Sequence, residues 1–210
     1  MGPRACNVLL VLCTAVAGVA CGRTQVGPRT AQEPPPSPPS PPAATVPTPA
    51  EKMTPFHRSL ESQGIRFVLD SPNRAAGNTV RIATQGLANG ASVIDRDIPG
   101  TVVAAEVADL DADGWPEVYI HIGASARSGR AALVAYSANR NRSLGDIYLP
   151  PLEDGPGTAI GFVGPEEMAV VEPALLRRFR IQGGRTRQLR YRLHAGDAGW
   201  AFRLERTDEF

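Results

Sequence analysis

Three carboxylates at alternate positions, Asp109, Asp111 and Asp113, stand in the segment DLDADGWPE, with Gly114 directly after them and Glu117 further on. Hard oxygen donors at that spacing suit Ca2+, and Gly114 can take the positive φ that such a loop needs at its sharpest point. The acidic residue that closes a twelve-residue EF-hand loop is missing, since Ile120 falls there, and no helical pattern flanks the turn. Calcium-loaded repeats of the propeller type carry similar Asp-rich turns, but in several copies, and this chain shows one. The plainer reading is that the aspartates bond their own backbone at a tight corner. Both readings stand at this stage.

Catalytic chemistry finds less to work with. The three histidines, His57, His121 and His194, have no cysteine partner beyond residue 21, and the chain holds no Gly-x-Ser-x-Gly elbow, phosphate loop or zinc-spaced cluster. Glu166 with Glu167, and Glu153 with Asp154, are sequence neighbours, which sets them pointing apart or into solvent. The expectation is a protein that is not an enzyme.

The acidic turn leads into two strand-like runs, residues 117–123 and 131–137, joined by a short connection of small and basic residues, 124–130, which predicts a β-hairpin. Further strand-like runs fall at 65–69, 79–84, 102–107, 168–172, 175–181, 188–193 and 200–205. Pro72-Asn73, Pro99-Gly100, Gly183-Gly184 and Gly196-Asp197 punctuate them. The one helical candidate is 55–63, with little apolar face. In the last hairpin Leu189, Tyr191 and Leu193 share one face and Gln188, Arg190 and Arg192 the other. Arg177, Arg178, Arg180, Arg185 and Arg187 add to the basic side, read as a solvated face or a surface for an acidic partner. The pattern as a whole predicts an all-β fold, an antiparallel β-sandwich or partly closed barrel, in a single domain over 55–210.

Two segments precede that domain. Residues 1–20 carry Arg4 and then an apolar run ending in small residues, the layout of a secretory signal peptide. Gly18, Val19 and Ala20 ahead of Cys21 are similar to the box that bacterial lipoprotein signal peptidase reads, so Cys21 is a candidate lipidation site; ordinary cleavage nearby is the alternative. Residues 21–54 form a linker whose proline-rich part, EPPPSPPSPPAATVPTPA, resists both sheet and helix. At roughly 3 Å per residue it would hold a domain on the order of 50 Å from an anchor. All three cysteines lie at or before position 21, so the exported domain contains no disulfide. The formal net charge is +1, and the basic residues, nearly all arginine, are balanced by acidic ones without interleaved aromatics. That pattern does not point to nucleic acid.

Four blocks, ADLDADGWPEVYIHI, LVAYSANRNRSLGDIYLPPLED, EEMAVVEPALLRRFRI and TRQLRYRLHAGDAGW, resemble the bacterial periplasmic inhibitors of invertebrate-type lysozyme. The resemblance spans most of 55–210. It implies an all-β domain without catalysis, exported to the periplasm of a Gram-negative envelope to protect peptidoglycan, with the membrane reached only through an N-terminal lipid. It also implies that a protruding loop with a Ser-Gly pair enters the lysozyme cleft and bonds its catalytic carboxylates. Ser128 and Gly129 match that pair, and with Ser125 and Arg130 they form the expected partner-binding set. The family tyrosine is missing here, and Arg130 is the candidate substitute through a charge-assisted contact. The rival expectation is a calcium-stabilised adhesion or scaffolding module built on Asp109, Asp111 and Asp113.

Overall fold

The computed structural model describes residues 53–152, 157–196 and 199–210. The proposed signal peptide, Cys21 and the proline-rich segment lie outside the described residues, as do Glu153 and Asp154. The described residues belong to one compact unit.

Alternation of apolar and polar residues builds two sheets. The first is a meander of β1 (Phe56–Ser62), β2 (Ile65–Ser71), β3 (Asn78–Gln85) and β4 (Ser92–Ile98). Ile65, Phe67 and Leu69 of β2 and Val80 and Ile82 of β3 are fully buried on one face. The helix expected over 55–63 is therefore strand β1. Ser62 pairs with Ile65 across a two-residue turn in which Gln63 and Gly64 both have positive φ, 50° and 78°. That turn suits a twisted hairpin, and the pairing beats a helix with no apolar stripe to bury.

The second sheet has eight strands in the order β5-β6-β7-β8-β12-β11-β10-β9. These are β5 (Val102–Ala108), β6 (Glu117–Ile122), β7 (Ala132–Ser137), β8 (Gly145–Tyr148), β9 (Phe162–Val171), β10 (Ala174–Ile181), β11 (Thr186–Gly196) and β12 (Gly199–Glu209). Neighbours are antiparallel except β8 and β12, which pair in parallel through Ile147 and Tyr148 against Trp200 and Ala201. The sheet curls until its two edges meet, where Val170 N of β9 donates to Glu106 Oε1 of β5 at 3.1 Å. The same oxygen accepts His121 Nε2 at 2.7 Å, so a carboxylate replaces the missing strand ladder at the seam.

Strand β6 is buried along its whole length because it faces two cores. Val118, Ile120 and Ile122 pack against the four-stranded sheet, whereas Tyr119 points into the curl with Leu175, Phe179, Leu189, Tyr191 and Phe202. Asn73 couples the two sheets by imitating a strand: its Oδ1 accepts Val102 N and its Nδ2 donates to Val102 O, both at 2.9 Å. An all-β fold of two sheets, one a nearly closed barrel, is thus what the sequence predicted. Leu189, Tyr191 and Leu193 face inward as expected, but Arg177 and Arg187 do not join the solvated face. Arg177 is 3 % exposed and Arg187 8 %, both committed to internal partners. Arg190 and Arg192 converge on Glu205: desolvation pushes its carboxyl up, but the charges and hydrogen bonds of the two guanidiniums together outweigh that and hold it below the usual range.

Candidate functional site

Residues 123–131 connect β6 to β7, and the chain closes there in a tight loop rather than a ladder. Ser125 N donates to Arg130 O at 2.8 Å and Gly129 N to Ser125 O at 2.7 Å. Ser125 Oγ accepts Arg127 N, and Ser128 Oγ accepts Arg130 N, each at 3.2 Å. Each serine uses an oxygen lone pair to hold the turn, which leaves its hydroxyl proton to be given outward. Residues 124–128 are exposed; Gly129 and Arg130 are half-buried.

The base of this loop is fixed from β9. Gly129 (φ 66°) approaches Gly164 so closely that a Cβ there would lie 3.4 Å from Gly164 Cα and 3.6 Å from the Phe162 ring. That approach lets Glu166 N donate to Gly129 O at 2.8 Å, while Glu166 Oε2 accepts Ala131 N at 3.1 Å. The other Glu166 oxygen pairs with Arg177 Nε at 2.6 Å, and Arg177 Nη1 donates to Pro150 O at 2.9 Å. Glu166 is 2 % exposed: of the two adjacent acids expected to point apart or into solvent, it is the one that points inward, and its role in bracing the loop was not foreseen. Glu167 does face solvent; the register of β9 turns its neighbour inward. The Glu166 signal was its alternation with Gly164 and Met168 in a strand that begins earlier than its apolar run.

Arg130 sits differently from Ser125 and Ser128. Its guanidinium lies 4.5 Å from the centre of the Phe162 ring, and Nη1 donates to Leu152 O at 2.8 Å. Arg130 is thus engaged within the chain, gluing the loop to the barrel. The exposed cation at the tip is Arg127, which sequence reasoning passed over because no motif marks it.

Asp109, Asp111 and Asp113 come together at the far end of β6, joined there by Glu117. One oxygen from each of the four carboxylates lies within 4.8 Å of the others. Asp109 accepts Asp113 N at 3.1 Å and Gly114 N at 3.0 Å, and Asp113 Oδ1 accepts Trp115 N at 2.8 Å, so the turn-forming reading is met. Trp200 Nε1 of β12 donates to Asp111 Oδ2 at 3.0 Å, tying the loop across the barrel mouth. Glu117 Oε2 accepts Leu110 N at 2.8 Å and Tyr119 OH at 3.1 Å, but its Oε1 is buried without a partner. Burial drives the Glu117 carboxyl up to about 8, against the pull of the Leu110 N–H and helped by the Asp111 charge. Burial and the Asp113 charge also raise Asp111.

The geometry therefore defines an all-β protein with a braced, exposed hairpin tip at one end of β6 and an acidic cluster at the other. Compared with family models, curated proteins and solved structures, the chain matches none.

Proposed function

We propose that this protein inhibits a lysozyme, by inserting the 124–130 loop into the enzyme's active-site cleft, and that it catalyses no reaction itself. What carries the reading is the contrast within that loop: its base is bound to Glu166, Phe162 and Leu152, and its tip, residues 124–128, is exposed. A tip ordered before binding loses little conformational entropy on docking. The hydroxyls of Ser125 and Ser128 and the guanidinium of Arg127 are donors only towards an acceptor, and a lysozyme cleft presents paired carboxylates. Donors against desolvated carboxylates form the stronger, charge-assisted class of hydrogen bond.

The resemblance of four sequence blocks to periplasmic inhibitors of invertebrate-type lysozyme supports that class as the target. The signal-like residues 1–20, with Cys21 as a lipid anchor or simple cleavage nearby, support export to a Gram-negative envelope. Neither nucleic acid nor a small-molecule substrate belongs to this proposal.

The test is a titration of purified invertebrate-type lysozyme with the purified protein, following lysis of peptidoglycan. Activity falling to near zero at stoichiometric excess is expected. Full residual activity would sink the proposal and favour an envelope scaffold without inhibitory action.

A further inference from the structure

We infer that Asp109, Asp111, Asp113 and Glu117 form a site for one Ca2+ ion that locks the β5–β6 corner to the barrel mouth. A cluster of acids in a turn would not suffice, since the aspartates here also act as turn formers. The distinguishing feature is Glu117. It is 0 % exposed, its Oε1 has no hydrogen-bond partner, and one of its oxygens lies within 4.8 Å of an oxygen of each of the three aspartates. A buried carboxylate oxygen without a donor is a costly arrangement that native proteins seldom keep without a reason.

The donor set selects the ion class. All four ligands are carboxylate oxygens, with no imidazole and no thiolate, which favours a hard cation over zinc or copper. Oxygens bound to Ca2+ at about 2.4 Å stand at most about 4.8 Å apart across the ion. The four groups lie within 4.8 Å of one another, inside the separation that ligands of one Ca2+ can have. Mg2+ demands contacts near 2.0–2.1 Å and a regular octahedron, and it usually takes only one or two carboxylates while keeping several waters, so four converging carboxylates suit it less well.

The chain order fits as well. Asp109, Asp111 and Asp113 take places one, three and five of the loop, and Gly114, at φ 87°, takes the sixth. Glu117 arrives at the ninth place from the first residue of β6, so the sheet itself supplies the closing ligand that a twelve-residue loop takes from a helix. The missing acid at position 120 is no obstacle to such a site. Leu110, inside the loop, is buried in the barrel core, and Asp111 holds Trp200 of β12. An ion there would fasten three parts of the barrel end.

This site and the 124–130 loop lie at opposite ends of β6, about 17 Å apart at 3.3 Å per residue, so their tests are independent. The experiment is thermal unfolding of the chelator-treated protein with CaCl2 added, with calorimetric titration of the same sample to count ions. Expected are one ion per chain and a Tm rise of roughly 5–10 °C at a hundredfold excess over Kd. MgCl2 at the same concentration should give a smaller rise. Glu117→Gln, which keeps the shape and both accepted hydrogen bonds, and Asp113→Asn, at an exposed position, should each cut Ca2+ affinity at least tenfold. A flat Tm and no binding heat with CaCl2 would overturn the inference, as would a rise that both variants retain in full.

Discussion

Arg177 and Glu166 meet inside the protein, Nε to Oε1 at 2.6 Å, with side-chain exposures of only 4 % and 0 %. The pair does more than balance charge, because the second Glu166 oxygen and its backbone N–H both hold the 124–130 loop. Removing the guanidinium leaves a buried carboxylate alone. Arg177→Met should destabilise the fold by about 3–5 kcal/mol, whereas Arg177→Met with Glu166→Gln should recover much of that loss. Urea denaturation of the two single variants and the double variant measures the coupling.

The β1–β2 turn and the β3–β4 connection offer a cleaner steric test. Gly86 has φ 93°, and a Cβ on it would lie 2.2 Å from Gly64 O, a backbone atom that cannot swing away. Gly90 has the same φ, yet a Cβ there meets nothing within 4 Å. Gly90→Ala should therefore carry only the left-handed penalty, about 1–2 kcal/mol. Gly86→Ala must also push two turns apart, so its loss should exceed that of Gly90→Ala by about 1 kcal/mol or more. Equal urea midpoints for the two variants would refute the close approach.

Period-2 patterning made most of this fold legible. The runs at 65–69, 175–181 and 188–193 each became strands because their apolar positions alternate and their partners bury them. Strands β1, β4 and β8 escaped notice for a physical reason: they are exposed or short, and pairing rather than burial makes them strands. The aspartate turn was readable from spacing alone. Membership of Glu117 in that cluster was not, since a residue at the start of a strand faces either way until both sheets are in place. Arg130 misled in a similar way. Its charge suggested an outward contact, but Phe162 and Leu152 O, 32 and 22 residues downstream, determine where it lies.

Glu117 also sets an expectation for pH in chelator-treated protein. Its carboxyl sits at about 8 in the fold against 4.5 for an ordinary glutamate, chiefly through burial. The folded state thus holds a proton that the unfolded chain releases, so unfolding becomes easier as pH rises from about 4.5 to about 8 and levels off above. The full loss across that window is on the order of 5 kcal/mol, an upper bound. Glu117→Gln should flatten the slope. Urea midpoints collected in chelator between about pH 5 and pH 8 test this, and a wild-type slope matched by the variant would contradict it.

The last expectation separates residues that touch a partner from those that hold the loop ready for it. Ser128 and Arg127 lie in the exposed tip, and neither is needed to attach the loop to the barrel. Ser128→Ala should weaken the proposed lysozyme inhibition by about 0.5–1.5 kcal/mol and Arg127→Ala by about 1.5–3 kcal/mol, the ranges for neutral and charged hydrogen bonds. Ser128→Ala also removes the acceptor for Arg130 N, so its effect includes a small loosening of the turn. Arg130→Ala works by another route: it strips the guanidinium from the Phe162 ring and from Leu152 O, so the tip must be ordered at the moment of binding. Amide exchange in the uncomplexed protein tells the two routes apart. Gly129 N, bonded to Ser125 O, and Glu166 N, bonded to Gly129 O, report on loop order. Their exchange should quicken in Arg130→Ala and stay close to wild type in Arg127→Ala, even where both variants inhibit less well. If Arg130→Ala leaves those amides protected while inhibition falls, Arg130 contacts the enzyme directly, and the tip must rearrange on docking to release it.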